Sequence, residues 1–155
     1  MQKRLSVLIL SIFFFACFVS ISKALAEQVL SELESLQWQN RIILVRSSTN
    51  CEPVQEALKQ ANAEIDDRDI IWFIFCETQA TQLLSNYEGV IGANFLGLIR
   101  KRYFKSKSTN VILIGKDGDI KYRANQLDLD RINQRIDSMP MRQQEMHERA
   151  ENVGT

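Results

Sequence analysis

Three short runs in this chain are almost wholly apolar, and they limit its possible folds more than any other feature. They are Arg-Ile-Ile-Leu-Val at 41–45, Ile-Ile-Trp-Phe-Ile-Phe at 70–75 and Val-Ile-Leu-Ile at 111–114. A strand with one wet face alternates apolar and polar residues, so runs of this kind belong to strands covered on both faces. Between the first two, residues 46–53 are polar and rich in Ser, Thr and Asn, the chemistry of a turn and a helix cap. Pro53 suits the first turn of a helix, where its missing N–H costs little. Val54, Ala57, Leu58 and Ala61 mark that helix's apolar face. Asp66-Asp67-Arg68-Asp69 is a charged connector into the second strand, which ends at Cys76. Strand, helix and strand in this order make a right-handed parallel βαβ unit.

The rest of the pattern extends that unit. Val29, Leu30, Leu33 and Leu36 predict a short helix over 27–37, and residues 79–93 predict a loop with a partial helix. A helix is expected over 94–104. After the third strand, Gly115-Lys116-Asp117-Gly118 is a hairpin signal, because Asp-Gly tolerates positive φ at both turn positions. Residues 120–123 form the fourth strand, antiparallel to the third. Leu129, Ile132 and Ile136 define a closing helix, with Asp128 or Asp130 near its start. The expected fold class is α/β: a thioredoxin-like βαβ–α–ββ–α order on a four-stranded mixed sheet.

A targeting segment precedes this domain. Lys3 and Arg4 open a long apolar stretch, and Ala24-Leu25-Ala26 offers small residues where a signal peptidase reads them. The expected organisation is therefore a signal peptide at 1–26, a thioredoxin-like domain at 27–142 and a polar C-terminal tail at 143–155. A retained membrane anchor is the rival reading, since the apolar stretch approaches the length of a bilayer span. A lipoprotein reading through Cys17 is weaker, because Phe14-Phe15-Ala16 lack the usual leucine. Cleavage after Ala26 leaves 155 − 26 = 129 residues, one ordinary domain. It also takes Lys3, Arg4 and Lys23, so 19 − 3 = 16 basic residues face 19 acidic ones and the net charge is −3. A mildly acidic domain of this kind is not a nucleic-acid binder by bulk charge. The expected location is the periplasm or the exterior.

Export gives the cysteines weight. Cys51 and Cys76 remain after cleavage, and an oxidising compartment favours a disulfide or a redox pair. Cys51 lies just before a helix, where N–H groups and the helix dipole stabilise a thiolate. Against catalysis, there is no Cys-x-x-Cys, no proline stands at Asn110 before the third strand, and Glu52 raises the thiol pKa. Three readings follow: a structural disulfide, two unlinked thiols, or a functional pair in which Cys76 resolves Cys51.

Two further stretches carry a resemblance. They are Leu113-Ile114-Gly115-Lys116-Asp117-Gly118-Asp119-Ile120-Lys121 and the run from Ile136 through Asp137, Met139, Pro140, Met141 and Arg142 to Met146. With residues 41–45 and Asp67-Arg68-Asp69, they make the chain resemble the domain-of-unknown-function family also called P-DUDES. That family occurs in secreted bacterial proteins and in vertebrate extracellular proteins of the DRO/URB/Equarin and sushi-repeat type. The resemblance implies export and a thioredoxin-like, peroxiredoxin-related fold, without a catalytic residue list. Asp137, Met139, Pro140, Met141 and Arg142 are its most specific part. Arg142 is expected to pair with Asp137 or another carboxylate and the methionines to pack onto the sheet, with a binding surface as the rival reading.

Other residues read as ordinary surface. His147 is expected in water, and Arg100-Lys101-Arg102 with Lys105 and Lys107 as a solvated helix face. Lys116 and Asp117 are explained by the hairpin turn. No cofactor or metal is expected. The favoured function is an exported binding or structural module of the cell envelope whose partner is a protein or another envelope component. Membrane contact is expected only through the signal segment before cleavage. The alternatives are a thiol oxidoreductase or peroxidase using Cys51 with Cys76, and a stress-related envelope protein that docks a macromolecule at the basic helix.

Overall fold

The computed structural model describes residues 29–48, 50–77 and 82–153. The targeting segment expected at 1–26 lies outside them. A five-stranded mixed sheet runs in the order β3-β2-β1-β4-β5. Its strands are β1 (Arg41–Ser47), β2 (Ile70–Cys76), β3 (Gln82–Ser85), β4 (Val111–Ile114) and β5 (Ile120–Ala124). Strand β1 is central. It pairs in parallel with β2, from Arg41 opposite Ile70 to Ser47 opposite Cys76, and antiparallel with β4. The helices are α1 (Glu52–Gln60), α2 (Asn62–Asp67), α3 (Phe95–Tyr103), α4 (Leu129–Asp137) and α5 (Pro140–Val153). Apart from the added strand β3 and the doubled helices, the elements keep the βαβ–α–ββ–α order of the thioredoxin-like arrangement expected.

Both faces of the sheet are covered, which is why its central strands are apolar throughout. Ile42, Leu44, Phe73, Phe75 and Ile112 face one layer, where α3 supplies Phe95 and Ile99. Phe95 meets Phe73 with ring centroids 5.0 Å apart, and Phe104 meets Phe75 edge-on at 5.6 Å. Ile43, Val45, Trp72, Ile74 and Leu113 face the other layer, where Leu58 of α1, Ile65 of α2, and Ile132 and Ile136 of α4 close over them. Helix α4 starts as its sequence implies: Arg131 N–H donates to the Asp128 carboxylate at 3.0 Å.

Four expectations are corrected. The sheet has five strands and not four, because part of the stretch read as loop and partial helix is β3. This strand pairs with only the last half of β2, from Phe73 opposite Ser85 to Cys76 opposite Gln82. Below it, the Asn86 side chain accepts from Trp72 N–H at 2.8 Å and donates to the Ile70 carbonyl at 3.1 Å. One amide side chain thus satisfies backbone that a longer strand would pair.

The N-terminal segment is not an α-helix. Leu30 forms a parallel bridge to Ile91, and Leu33–Leu36 is a 3-10 turn. Leu30, Leu33 and Leu36 are all buried. Their three-residue spacing suits a three-per-turn helix better than an α-helix. The helix after β1 is broken at Ala61 into α1 and α2.

The hairpin uses a different turn from the one its Asp-Gly pair implies. Gly118 N–H donates to the Gly115 carbonyl at 3.0 Å and Gly115 N–H to the Asp119 carbonyl at 2.9 Å. Lys116 and Asp117 take the central positions with negative φ, and only Gly118 is left-handed, at φ +83°. This is the three-residue loop in which a glycine closes the turn.

Candidate functional site

The cysteines meet at the carboxyl end of the parallel pair. Cys51 stands at the N-cap position of α1, and Cys76 is the last residue of β2. Because β1 and β2 run in register, the loop leaving β1 returns beside the end of β2. The two residues form a disulfide with Cα atoms 6.0 Å apart, within the usual range. The reading as two unlinked thiols therefore falls.

The surroundings of this bond are poor for thiol chemistry. Cys51 and Cys76 are 7% and 8% exposed. A pocket of about 210 Å³ beside them is lined by Asn50, Glu52, Gln55 and Gln82, with a carboxylate and, among the described residues, no cation in its wall. The helix dipole of α1 favours a thiolate at Cys51, but Glu52, the next residue, opposes it.

The opposite end of the sheet holds the other candidates. Arg41 opens β1 and is 1% exposed. Its guanidinium grips the Glu145 carboxylate of α5 with two hydrogen bonds of 3.1 Å and donates to the Arg68 carbonyl at 2.9 Å. Lys116, from the hairpin turn, reaches Glu145 at 2.9 Å and Asp69 at 2.8 Å. Arg142, 3% exposed, donates to the Asp67 carbonyl at 2.8 Å and also engages the Asp67 carboxylate. Arg68 grips Asp137 at 2.7 and 3.0 Å, and Arg142 approaches the same carboxylate at 3.4 Å.

Titration follows this geometry. Burial pushes the Glu145 carboxyl up, but hydrogen bonds and charge from Arg41 and Lys116 outweigh it and hold the group below its ordinary value. For Asp137, the Arg68 hydrogen bonds come first; burial opposes them, Arg142 adds to them, and the result is again lowered.

The five residues singled out in the sequence therefore divide. Arg142 and Asp137 are consumed inside the ion network, as the pairing expectation had it. Met139 packs against the core layer of α4. Met139, Pro140 and Met141 also line a pocket of about 270 Å³ between the hairpin and the α4–α5 junction. Lys116, Lys121, Arg135 and Arg41 line it as well.

Sequence reasoning missed Arg41 and Glu145, and it assigned Lys116 to the turn alone. The one available signal was an arginine opening an otherwise apolar run. His147 is exposed on α5, 3.3 Å from Glu151. In the basic cluster, Arg100 pairs with Glu77 at 3.0 Å and Arg102 with Glu34. Among the described residues, no three His, Cys, Asp or Glu side chains gather as metal ligands would, and no helix is long and apolar enough to cross a membrane.

A family model described as a domain of unknown function (DUF4174) matches residues 32–145, a span holding both cysteines and ending on Glu145. No curated protein and no solved structure matches the chain.

Proposed function

The chain belongs to this family of domains of unknown function, and from that premise we propose that it is an exported envelope module that works by binding, with the Cys51–Cys76 disulfide as a structural staple. The observation that carries the reading is the closed, nearly buried bond between the only cysteines among the described residues. Such bonds persist in oxidising compartments, which agrees with the targeting segment expected at 1–26. The rival is a thiol oxidoreductase or peroxidase. It draws on the position of Cys51 at the start of α1, but among the described residues no cation lines the pocket beside the sulfur, and the sequence has no second cysteine within the same turn.

The test uses protein purified from the periplasm. Its mass must rise by two hydrogens on reduction, and the protein must neither accelerate insulin reduction nor consume peroxide. Turnover that disappears in Cys51→Ser would replace the binding reading with the enzymatic one.

A further inference from the structure

The two most distinctive sequence stretches, the Lys-Asp-Gly hairpin and the Met-Pro-Met-Arg junction, lie far apart in the chain and wall the same pocket. Its volume of about 270 Å³ corresponds to about nine waters at some 30 Å³ each. It therefore has room for a small molecule.

Its wall has two chemistries. Met139, Pro140 and Met141 form an apolar side, and Met141 is 40% exposed. The other side is cationic. Lys116 is held by Glu145 and Asp69, and Lys121 by Asp117, which also lines the pocket. Arg135 differs. Its Nε donates weakly to the Lys121 carbonyl at 3.4 Å, and it has no carboxylate partner among the described residues.

A second observation points the same way. Arg41 is also part of the pocket lining, and its Nε is buried with no hydrogen-bond partner among the described residues. Of the five N–H groups on that guanidinium, Nη1 places two and Nη2 one, so the Nε–H and one Nη2–H have no acceptor among the described residues. A buried donor in that state is costly, and native structures rarely leave one without a reason.

We infer that this pocket binds a small organic carboxylate with an apolar body. The carboxylate lies against Arg135 and supplies the acceptor that Arg41 Nε–H lacks, while the body rests on Met139 and Met141. The Nε atom has no exposed area, so the oxygen reaches it only if a wall side chain rotates, and the Arg41 Nε–H resonance reports whether that happens. The inference rests on the reading of the protein as a binding module and names the ligand class of that reading.

The experiment titrates the oxidised protein with hexanoate, benzoate, hexanamide and inorganic phosphate. It follows the Arg41 Nε–H resonance by NMR and heat by calorimetry. A carboxylate of eight or nine heavy atoms is expected to bind with Kd about 1 mM or tighter. Hexanamide and phosphate are expected to bind about tenfold more weakly or worse, one lacking the charge and the other the apolar body. Arg135→Gln, on an exposed helix position, is expected to weaken hexanoate about tenfold without changing stability. Met141→Ala is expected to weaken it about threefold. No saturable binding of either carboxylate up to about 50 mM, equal affinity for hexanamide, or indifference to Arg135→Gln would overturn the site. None of these results bears on thiol turnover, so the site and the binding reading fail separately.

Discussion

The two ends of the parallel strand pair are locked by different means. At the carboxyl end, one covalent bond joins the start of α1 to the end of β2. At the amino end, charges from β1, the α2–β2 connector, the hairpin, α4 and α5 converge without any covalent link. The contrast is sharpest in α5, where Arg142 is the only buried side chain among the described residues. Most helices are held by an apolar stripe, whereas this one is docked largely by Arg142, Glu145 and Arg149, the last bonded to the Asp67 carbonyl and carboxylate. The covalent lock is therefore indifferent to pH and sensitive to reductant, and the ionic lock is the reverse.

Breaking the covalent lock has the largest expected effect. The disulfide closes a 25-residue separation, for which chain entropy gives about 3.5 kcal/mol. Urea unfolding of the Cys51→Ser/Cys76→Ser double variant should show a loss of about that size. A loss under about 1 kcal/mol would mean that the bond does little to hold this end.

Next comes the ionic lock. Arg41→Met strands Glu145, which is part exposed and retains Lys116, so the loss should be about 2 kcal/mol, less than for a fully buried pair. Adding Glu145→Met should recover part of that loss, because removing both charges costs less than orphaning one. A double variant worse than the single would show that Lys116 and Arg142 keep Glu145 net stabilising even without Arg41.

Acid separates the ends without mutation. Glu145 and Asp137 have lowered pKa values in the folded state. Their contribution is present above the unfolded-state values and is lost as the pH falls through the folded ones. Stability should therefore drop below about pH 4.5, the ordinary value for Glu145. Amide exchange should show α5 releasing before the sheet. The disulfide end should be unaffected over the same range.

The smallest effect tests the hairpin that presents Lys116. Gly118 has φ +83°, and a Cβ there would lie 3.2 Å from the Gln37 side chain. Gly118→Ala should cost about 1 kcal/mol and shift exchange at the ionic end more than at the disulfide end.

The sequence was most legible where burial leaves a local pattern. The runs that became β1, β2 and β4 have to be apolar on both faces, and Asp128 reads as a cap because its partner is three residues away. Strand β3 was not legible. Leu83 and Leu84 are adjacent and face opposite layers, so they follow no helical period. The cysteine pairing was legible as one of three outcomes, since it follows from strand order. The ionic end was hidden because Arg41 and Glu145 are 104 positions apart. Without a fold to bring them together, each reads as an ordinary surface charge, and so do Lys116 and Arg135 of the pocket.

The rate at which dithiothreitol reduces the folded protein, measured against urea concentration, tests the staple most directly. If the bond is structural, reduction is slow in water and accelerates with urea along the slope of global unfolding, because attack waits for the fold to open. Rapid reduction in water that urea leaves unchanged would mean that the sulfurs exchange in the native state, and the binding-module account would give way to thiol chemistry.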